Sequence, residues 1–192
     1  MQGGRRWLPR VVAVAELAAF FAIERALRKG TQAAALERGE HDRGSTLAIG
    51  ITFGVAMSGA PLTSVIKRGR LPIGLGWIGV AAMAAGIGLR AWAASELGES
   101  YTRTLRVRTG QQVVDSGPYA LMRHPGYAAD ILMWLGYGLA WTNAAAALVA
   151  ALPTSLAYAY RIAVEEVMLY DRLGAEYEGY AARTARLIPG VY

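Results

Sequence analysis

Residues 131–160 read ILMWLGYGLAWTNAAAALVAALPTSLAYAY, thirty positions without one charged side chain. A helix rises ~1.5 Å per residue, so one helix through this stretch would be ~45 Å long, against ~30 Å of bilayer hydrocarbon. Trp141-Thr142-Asn143 lies near the middle and offers a turn. The stretch, extended back to Gly126, therefore predicts a hairpin of two helices, 126–141 and 144–160. Both are short for a span, so tilt, local thinning or support from neighbours is expected. Pro153 is placed to kink the second helix.

Upstream, residues 46–66 are 21 positions without a charge and 71–89 are another 19. A crossing helix needs ~20 apolar residues, so both runs predict transmembrane helices. Small residues (Gly50, Gly54, Ser58 and Gly59; Gly74, Gly79, Gly86 and Gly88) favour close helix packing in lipid. Residues 11–23 are apolar but short and carry Glu16. They either span or lie at the interface, and are read as a span; they are not a cleaved leader, because no small-residue cleavage site follows Arg25, Arg28 and Lys29. The expected fold is an all-α integral membrane protein with about five transmembrane helices. It forms a single domain over 1–192, with N-terminal helices in 1–94 and the chemistry-bearing half in 95–192.

Composition agrees. The chain is 54% hydrophobic before its 23 glycines are counted, and 18% charged, against ~25% charged in an average soluble domain. No cysteine is present and histidine occurs twice, which excludes disulfides and thiolate chemistry and makes no case for a metal site. The net charge of +6 is assigned to the flanks of membrane spans rather than to a nucleic-acid partner.

Cationic flanks orient the chain. The hairpin tip at 141–143 has no charge and should face away from the cytoplasm. That puts 95–123, and everything after Arg161, on the cytoplasmic side. Arg5, Arg6, Arg10, Lys67, Arg68 and Arg70 oppose this orientation, because they would lie outside. The charge rule does not resolve the conflict.

The pattern changes at 101–114, YTRTLRVRTGQQVV, where Leu105 and Val107 alternate with arginines before Thr109-Gly110. This predicts a short cytosolic β-hairpin or extended loop. Residues 161–183 are helical by pattern but carry Glu165, Glu166, Asp171, Glu176 and Glu178, which suit them to water. They are read as C-terminal cytosolic helices that continue the fifth helix, break near Gly174 and resume at 176–183.

Polar residues thus gather in 101–127 and 161–186, on one expected side of the membrane, which is the basis for proposing one site built from both. Arg161 and Glu165 at i, i+4 share a helix face. They are either an interfacial ion pair worth at most ~1 kcal/mol or a charged pair inside a cavity. Arg123-His124-Pro125 opens a helix, where an anion is favoured, or simply marks a proline start beside the headgroups. Tyr101, Tyr119, Tyr127, Tyr177 and Tyr180 suit either an adenine pocket or an interfacial aromatic belt. His41, among Glu40, Asp42 and Arg43, reads as surface. Asp130 is costly in lipid and should face the bundle interior or a polar cavity, its role left open. Arg90 is expected to snorkel. No strand precedes the glycines of 74–88, so they form no nucleotide loop.

Four fragments stand in order: Gly117-Pro118-Tyr119-x-x-x-Arg123-His124-Pro125-x-Tyr127, Arg161-x-x-x-Glu165-Glu166-x-x-Leu169, Gly174-x-Glu176-Tyr177-x-x-Tyr180 and Leu187-Ile188-Pro189. With a helical hairpin between them, they make 101–192 resemble the isoprenylcysteine carboxyl methyltransferase family, related to membrane phospholipid N-methyltransferases. The resemblance implies a membrane enzyme that uses S-adenosylmethionine, releases S-adenosylhomocysteine and methylates a lipid-like or prenylated acceptor, with a carboxylate the best-known target. By motif position it implies that Gln111, Gln112, Val113 and Val114 hold the adenosine end. Tyr119, His124, Pro125, Gly126, Tyr127 and Glu165 would contact the cofactor. Arg161 and Glu165 would be catalytic, with Arg161 orienting the acceptor. Thr104 falls where some relatives place a polar cofactor contact. The implied partners are membrane lipids and a lipophilic acceptor, the implied state is a monomer, and the site faces the cytoplasm. The alternatives are a phospholipid amine N-methyltransferase and, from another class, a non-enzymatic membrane scaffold or transporter subunit. A carboxylate acceptor is already a nucleophile and needs no general base; an amine or hydroxyl would need one, with Glu165 or His124 as candidates.

Overall fold

The structure, a computed structural model, describes residues 6–27, 42–98 and 113–191. The expected β-hairpin of 101–114 lies almost wholly outside these residues, as do His41, Thr104, Gln111 and Gln112. Six α-helices are present among the described residues: α1 (Trp7–Leu27), α2 (Ser45–Leu62), α3 (Ile73–Leu97), α4 (Pro125–Ala140), α5 (Ala144–Leu173) and α6 (Ala175–Arg183). Short 3-10 turns occupy Thr63–Val65 and Gly117–Ala120.

Helices α2, α3 and α5 are long and apolar enough to cross a membrane. They carry most of the charge-free sequence, and their exposed leucines, isoleucines and valines suit lipid on the outer face. Helices α4 and α5 are joined by three residues, 141–143. Asn143 begins α5, accepting from the Ala145 N–H at 2.8 Å, while its amide donates to the carbonyls of Thr63, Ile66 and Arg68. Helix α5 runs unbroken through Pro153 to Gly174, where the chain turns at φ +54 into α6. The expected break near Gly174 is therefore seen. Residues 161–173 continue the same helix that holds 144–160, as the sequence pattern predicts.

Small residues bring α3 and α4 backbone to backbone. A Cβ on Gly79 would lie 2.6 Å from the Gly136 carbonyl oxygen, and one on Gly86 would lie 2.6 Å from that of Ala129. Gly59 of α2 is covered by a side chain instead, a Cβ there coming within 2.5 Å of a Val149 methyl of α5. Gly50, Gly54, Gly74 and Gly88 have open space at that position, so packing does not account for them. The core of the bundle joins Ala13, Leu17 and Phe20 of α1 to Met83 of α3 and to Met133, Trp134 and Tyr137 of α4.

Arg90 does not snorkel. Its guanidinium sits inside the bundle, with Nε 2.9 Å from Glu24 of α1 and Nη1 3.3 Å from Asp130 of α4. Tyr158 of α5 donates its hydroxyl to Asp130 as well. Burying one acid on α1 and another on α4 is tolerable only with a cation between them, and Arg90 is the cation the fold supplies.

Candidate active site

His124 begins α4 and its ring, 5% exposed, makes no capping bond; it turns toward α5 instead. Nε2 lies 3.3 Å from Glu166 and Nδ1 3.7 Å from Glu165. One turn on, Tyr127 stacks on His124 with ring centroids 5.5 Å apart and on Tyr158 at 4.8 Å. The Tyr127 hydroxyl donates to Glu165 at 2.6 Å and accepts from Arg161 Nε at 3.3 Å. Arg161 is 3% exposed. Its Nη1 donates to Asp42 at 2.8 Å, Ser45 Oγ at 2.8 Å and Thr46 Oγ1 at 2.9 Å.

A continuous polar chain results, from the start of α2 through Arg161, Tyr127, Glu165 and His124 to Glu166. Arg161 and Glu165 do share one face of α5, and Tyr127 bridges them. The arrangement differs from an interfacial ion pair because Arg161 is buried and braced by α2. Burial works against charge on Asp42, but hydrogen bonds from Thr46, the Arg161 guanidinium and a bond from Ser45 outweigh it and hold the carboxyl below its ordinary range.

The C-terminal segment fixes the other side. The N–H groups of Arg123 and His124 donate to the carbonyls of Ala185 and Arg186. Arg123 reaches Glu166 at 2.9 Å and the carbonyls of Ala181 and Thr184. Arg186 meets the second oxygen of Glu166 at 2.9 Å. Glu166 therefore ties α4, α5 and the C-terminal segment together.

Tyrosines stand beside this chain. Burial pushes the Tyr119 hydroxyl well above the ordinary tyrosine range; Arg90, Glu165, Tyr127 and Tyr180 are the charged or polar groups that act on it. Burial also pushes Tyr180 up to about 12, and its hydroxyl donates to the Tyr119 carbonyl at 2.8 Å. Tyr177 is 2% exposed and its hydroxyl is buried with no hydrogen-bond partner among the described residues. The Val113 N–H donates to Glu176 at 2.9 Å, so the segment that opens at Val113 and Val114 is pinned to the first turn of α6. Gly126 lies against Arg90, where a Cβ would come within 2.9 Å of Nη1.

Among the described residues, the structure thus gathers His124, Tyr127, Arg161 and Glu165, with Pro125 and Gly126 in the same first turn of α4 and Tyr119 just before it. Sequence reasoning missed Asp42 and the bracing role of Glu166. The run Asp42-x-x-Ser45-Thr46 ahead of an apolar stretch was a helix-start signal for the first.

The family model described as phospholipid methyltransferase matches residues 75–176. A probable protein-S-isoprenylcysteine O-methyltransferase of Oryza sativa subsp. indica is 29% identical over 115 residues, 59% of this chain and 60% of that protein. Protein-S-isoprenylcysteine O-methyltransferase B of Arabidopsis thaliana is 30% identical over 105 residues, 54% of this chain and 53% of that protein. The chain thus spans less than two thirds of the length of these relatives. Among solved structures, a eukaryotic intramembrane Ras methyltransferase, isoprenylcysteine carboxyl methyltransferase, matches 100% of this chain and 70% of its own, with a TM-score of 0.68 and 18% identity. At that identity the likeness is one of fold.

Proposed function

The chain belongs to the phospholipid methyltransferase family, and we propose that it transfers a methyl group from S-adenosylmethionine to the carboxylate of a prenylated or otherwise lipid-like acceptor. The observation that carries the reading is the buried chain from Arg161 through Tyr127 to Glu165 and His124, with tyrosines beside it, at the end of α4 and α5 away from their connecting turn. The names of the rice and Arabidopsis relatives favour the carboxylate; the family description favours a phospholipid amine, which is the second reading.

The donor set suits the cofactor. Glu165 presents a carboxylate that is 22% exposed, beside Tyr127 and His124. The Tyr177 hydroxyl is a buried donor without a partner among the described residues, a state that costs ~1–3 kcal/mol unless something accepts from it. Aromatic faces and a lone hydroxyl are what an adenosine would use. When bound, S-adenosylmethionine supplies an electrophilic methyl group on a sulfonium. Tyr119, His124, Pro125, Gly126, Tyr127, Val113 and Val114 would hold it. Gln111 and Gln112 belong to the same proposal.

The roles of the chain's own groups follow from their bonds. Tyr127 fixes the rotamer of Glu165, whose negative charge favours a cation nearby. Arg161 is clamped by Asp42, Ser45 and Thr46, so it acts as a fixed positive charge that orients an acceptor carboxylate without folding around it. A carboxylate held this way needs no base; positioning and exclusion of water supply the rate. His124, anchored by Glu166, stays available for a carboxylate at the α4 start.

Depth supports five spans in one domain over 1–192. From Ala144 to Arg161 and from Ile73 to Arg90 are each 17 residues, or ~26 Å, close to the hydrocarbon thickness. We read α4, with 16 residues, and α1, with 21, as crossing the same slab. We read the protein as a monomer in the membrane with the site facing the cytoplasm.

Isothermal titration of detergent-purified protein with S-adenosylhomocysteine tests the cofactor without needing the acceptor. The expected result is saturable binding near one per chain, weakened about 10-fold (~1.4 kcal/mol) by His124→Ala. Absence of binding in folded protein, repeated in nanodiscs, would leave the scaffold reading. Turnover on a farnesylated cysteine analogue, compared with phosphatidylethanolamine, then separates carboxylate from amine.

A further inference from the structure

At the end of the bundle opposite the candidate site, three segments distant in sequence bring their cations together. Arg6 at the foot of α1 donates to the Leu71 carbonyl at 3.1 Å. Arg10 donates to the Trp141 carbonyl at 3.3 Å and lies over the Trp141 ring at 5.5 Å. Arg70 bridges to Asn143, and both Arg6 and Arg70 act on the charge of Arg10. Lys67 and Arg68 are exposed in the same loop. No acid occurs in 57–80 or 131–160, and the nearest one up α1 is Glu16, six residues or ~9 Å from Arg10.

Five like charges at one end repel one another, and nothing among the described residues there offsets them. Arg10 also holds its Nε buried without a hydrogen bond. The surface beside the cations is apolar and exposed: Trp7 56%, Leu62 70%, Val65 81% and Ile66 44%. A free anion would answer the charges but not this apolar rim. A lipid answers both, with its phosphate among guanidiniums and its glycerol and upper acyl carbons against Leu62, Val65 and Ile66.

We propose that Arg6, Arg10, Lys67, Arg68 and Arg70 form a binding site for the headgroup of an anionic phospholipid, in the leaflet opposite the candidate active site. The ~26 Å between Ala144 and Arg161 puts these cations at headgroup depth when Arg161 lies at the other interface. The site also gives the cations that oppose the cytoplasmic charge rule a role that does not depend on which side they face. It is independent of the proposed methyl transfer.

The test is thermal unfolding of the purified protein in mixed micelles containing phosphatidylglycerol or, at equal mole fraction, phosphatidylcholine. Phosphatidylglycerol should raise Tm by several degrees more than phosphatidylcholine, because a ligand that binds only the folded state stabilises it. The triple variant Lys67→Gln/Arg68→Gln/Arg70→Gln should lose that difference, while Arg172→Gln at the other end should keep it. Equal shifts from the two lipids in the wild type overturn the proposal. So does inorganic phosphate that reproduces the shift and abolishes any further gain from phosphatidylglycerol, since the site would then be one for a free anion. If the triple variant does not fold, the wild-type difference is followed against NaCl. It should shrink steeply with salt, and a salt-independent difference overturns the headgroup assignment.

Discussion

Two buried groups of charges meet at one stack of rings, and they are built differently. In the first, Arg90 lies between Glu24 and Asp130 while Tyr158 donates to Asp130, so α1, α3, α4 and α5 are tied around one cation. In the second, Asp42, Arg161, Tyr127, Glu165, His124 and Glu166 form a line rather than a knot, and the side chain of Glu165 is 22% exposed. Tyr127 stacked on Tyr158 joins the two. Both groups pay for desolvation; the Arg90 side chain keeps 16% of its surface and that of Glu165 22%, but Arg90 is held between two carboxylates while Glu165 is held by a tyrosine hydroxyl. Burial of charge by itself does not mark a site. The knot, with its cation fully answered by acids, is read as structure, and the line is the one we propose for chemistry.

The largest expected effect tests the line. Glu165→Gln keeps the shape and an acceptor for the Tyr127 hydroxyl but removes the charge. Turnover should fall about 10²–10³-fold, as for loss of one electrostatic stabiliser, with the unfolding midpoint nearly unmoved. Wild-type turnover in this variant would take the catalytic role from Glu165.

The next effect tests the knot. Arg90→Ala leaves two carboxyls buried without their cation, a change that costs about 3–5 kcal/mol in comparable buried pairs. The unfolding midpoint in detergent should drop sharply. Protein that remains folded should still bind S-adenosylhomocysteine. A matching loss of affinity would merge the two groups into one site, which the position of Arg90 against Gly126 makes a real contest.

What the sequence made legible follows the same division. Charge-free runs bounded by polar ones disclose helices α2, α3 and α5, because crossing hydrocarbon is a local demand on composition. The turn at Trp141-Thr142-Asn143 and the stop at Gly174 are local too. The pairing of Arg161 with Glu165 on one face, and the gathering of His124 with Tyr127, follow from helical spacing and the motif. The similarity to isoprenylcysteine methyltransferases carried by those motifs agrees with the relatives and with the shared fold. Partners chosen by tertiary neighbours were not legible. Asp42 meets Arg161 across 119 positions, and Arg90 meets Glu24 across 66. An arginine near a helix end snorkels when lipid surrounds it. Arg90 instead finds the acid of α1 and that of α4 on its inner side, and no local pattern says so. The buried place of Asp130, expected inside the bundle, was the available hint that a cation must come to it.

The smallest effect probes where the line is anchored. Asp42 is buried, and the Thr46 and Ser45 hydrogen bonds and the Arg161 guanidinium outweigh its burial, so its folded pKa lies below its unfolded value of ~3.9. A depressed carboxyl contributes stability that is fully present above the unfolded pKa and is lost as pH falls through the folded one. Asp42→Asn should therefore cost about 1–3 kcal/mol at neutral pH, by leaving Arg161 a neutral partner. The gap from wild type should stay constant from pH 7 down to about 5 and close below about pH 4. Denaturant unfolding of both proteins across that range reads it directly. A gap that persists unchanged into acid would mean that Asp42 holds Arg161 by shape and hydrogen bonding alone. Arg161 would then be fixed by packing against α2, and its positive charge would be less neutralised at the line's far end than the ion pair implies.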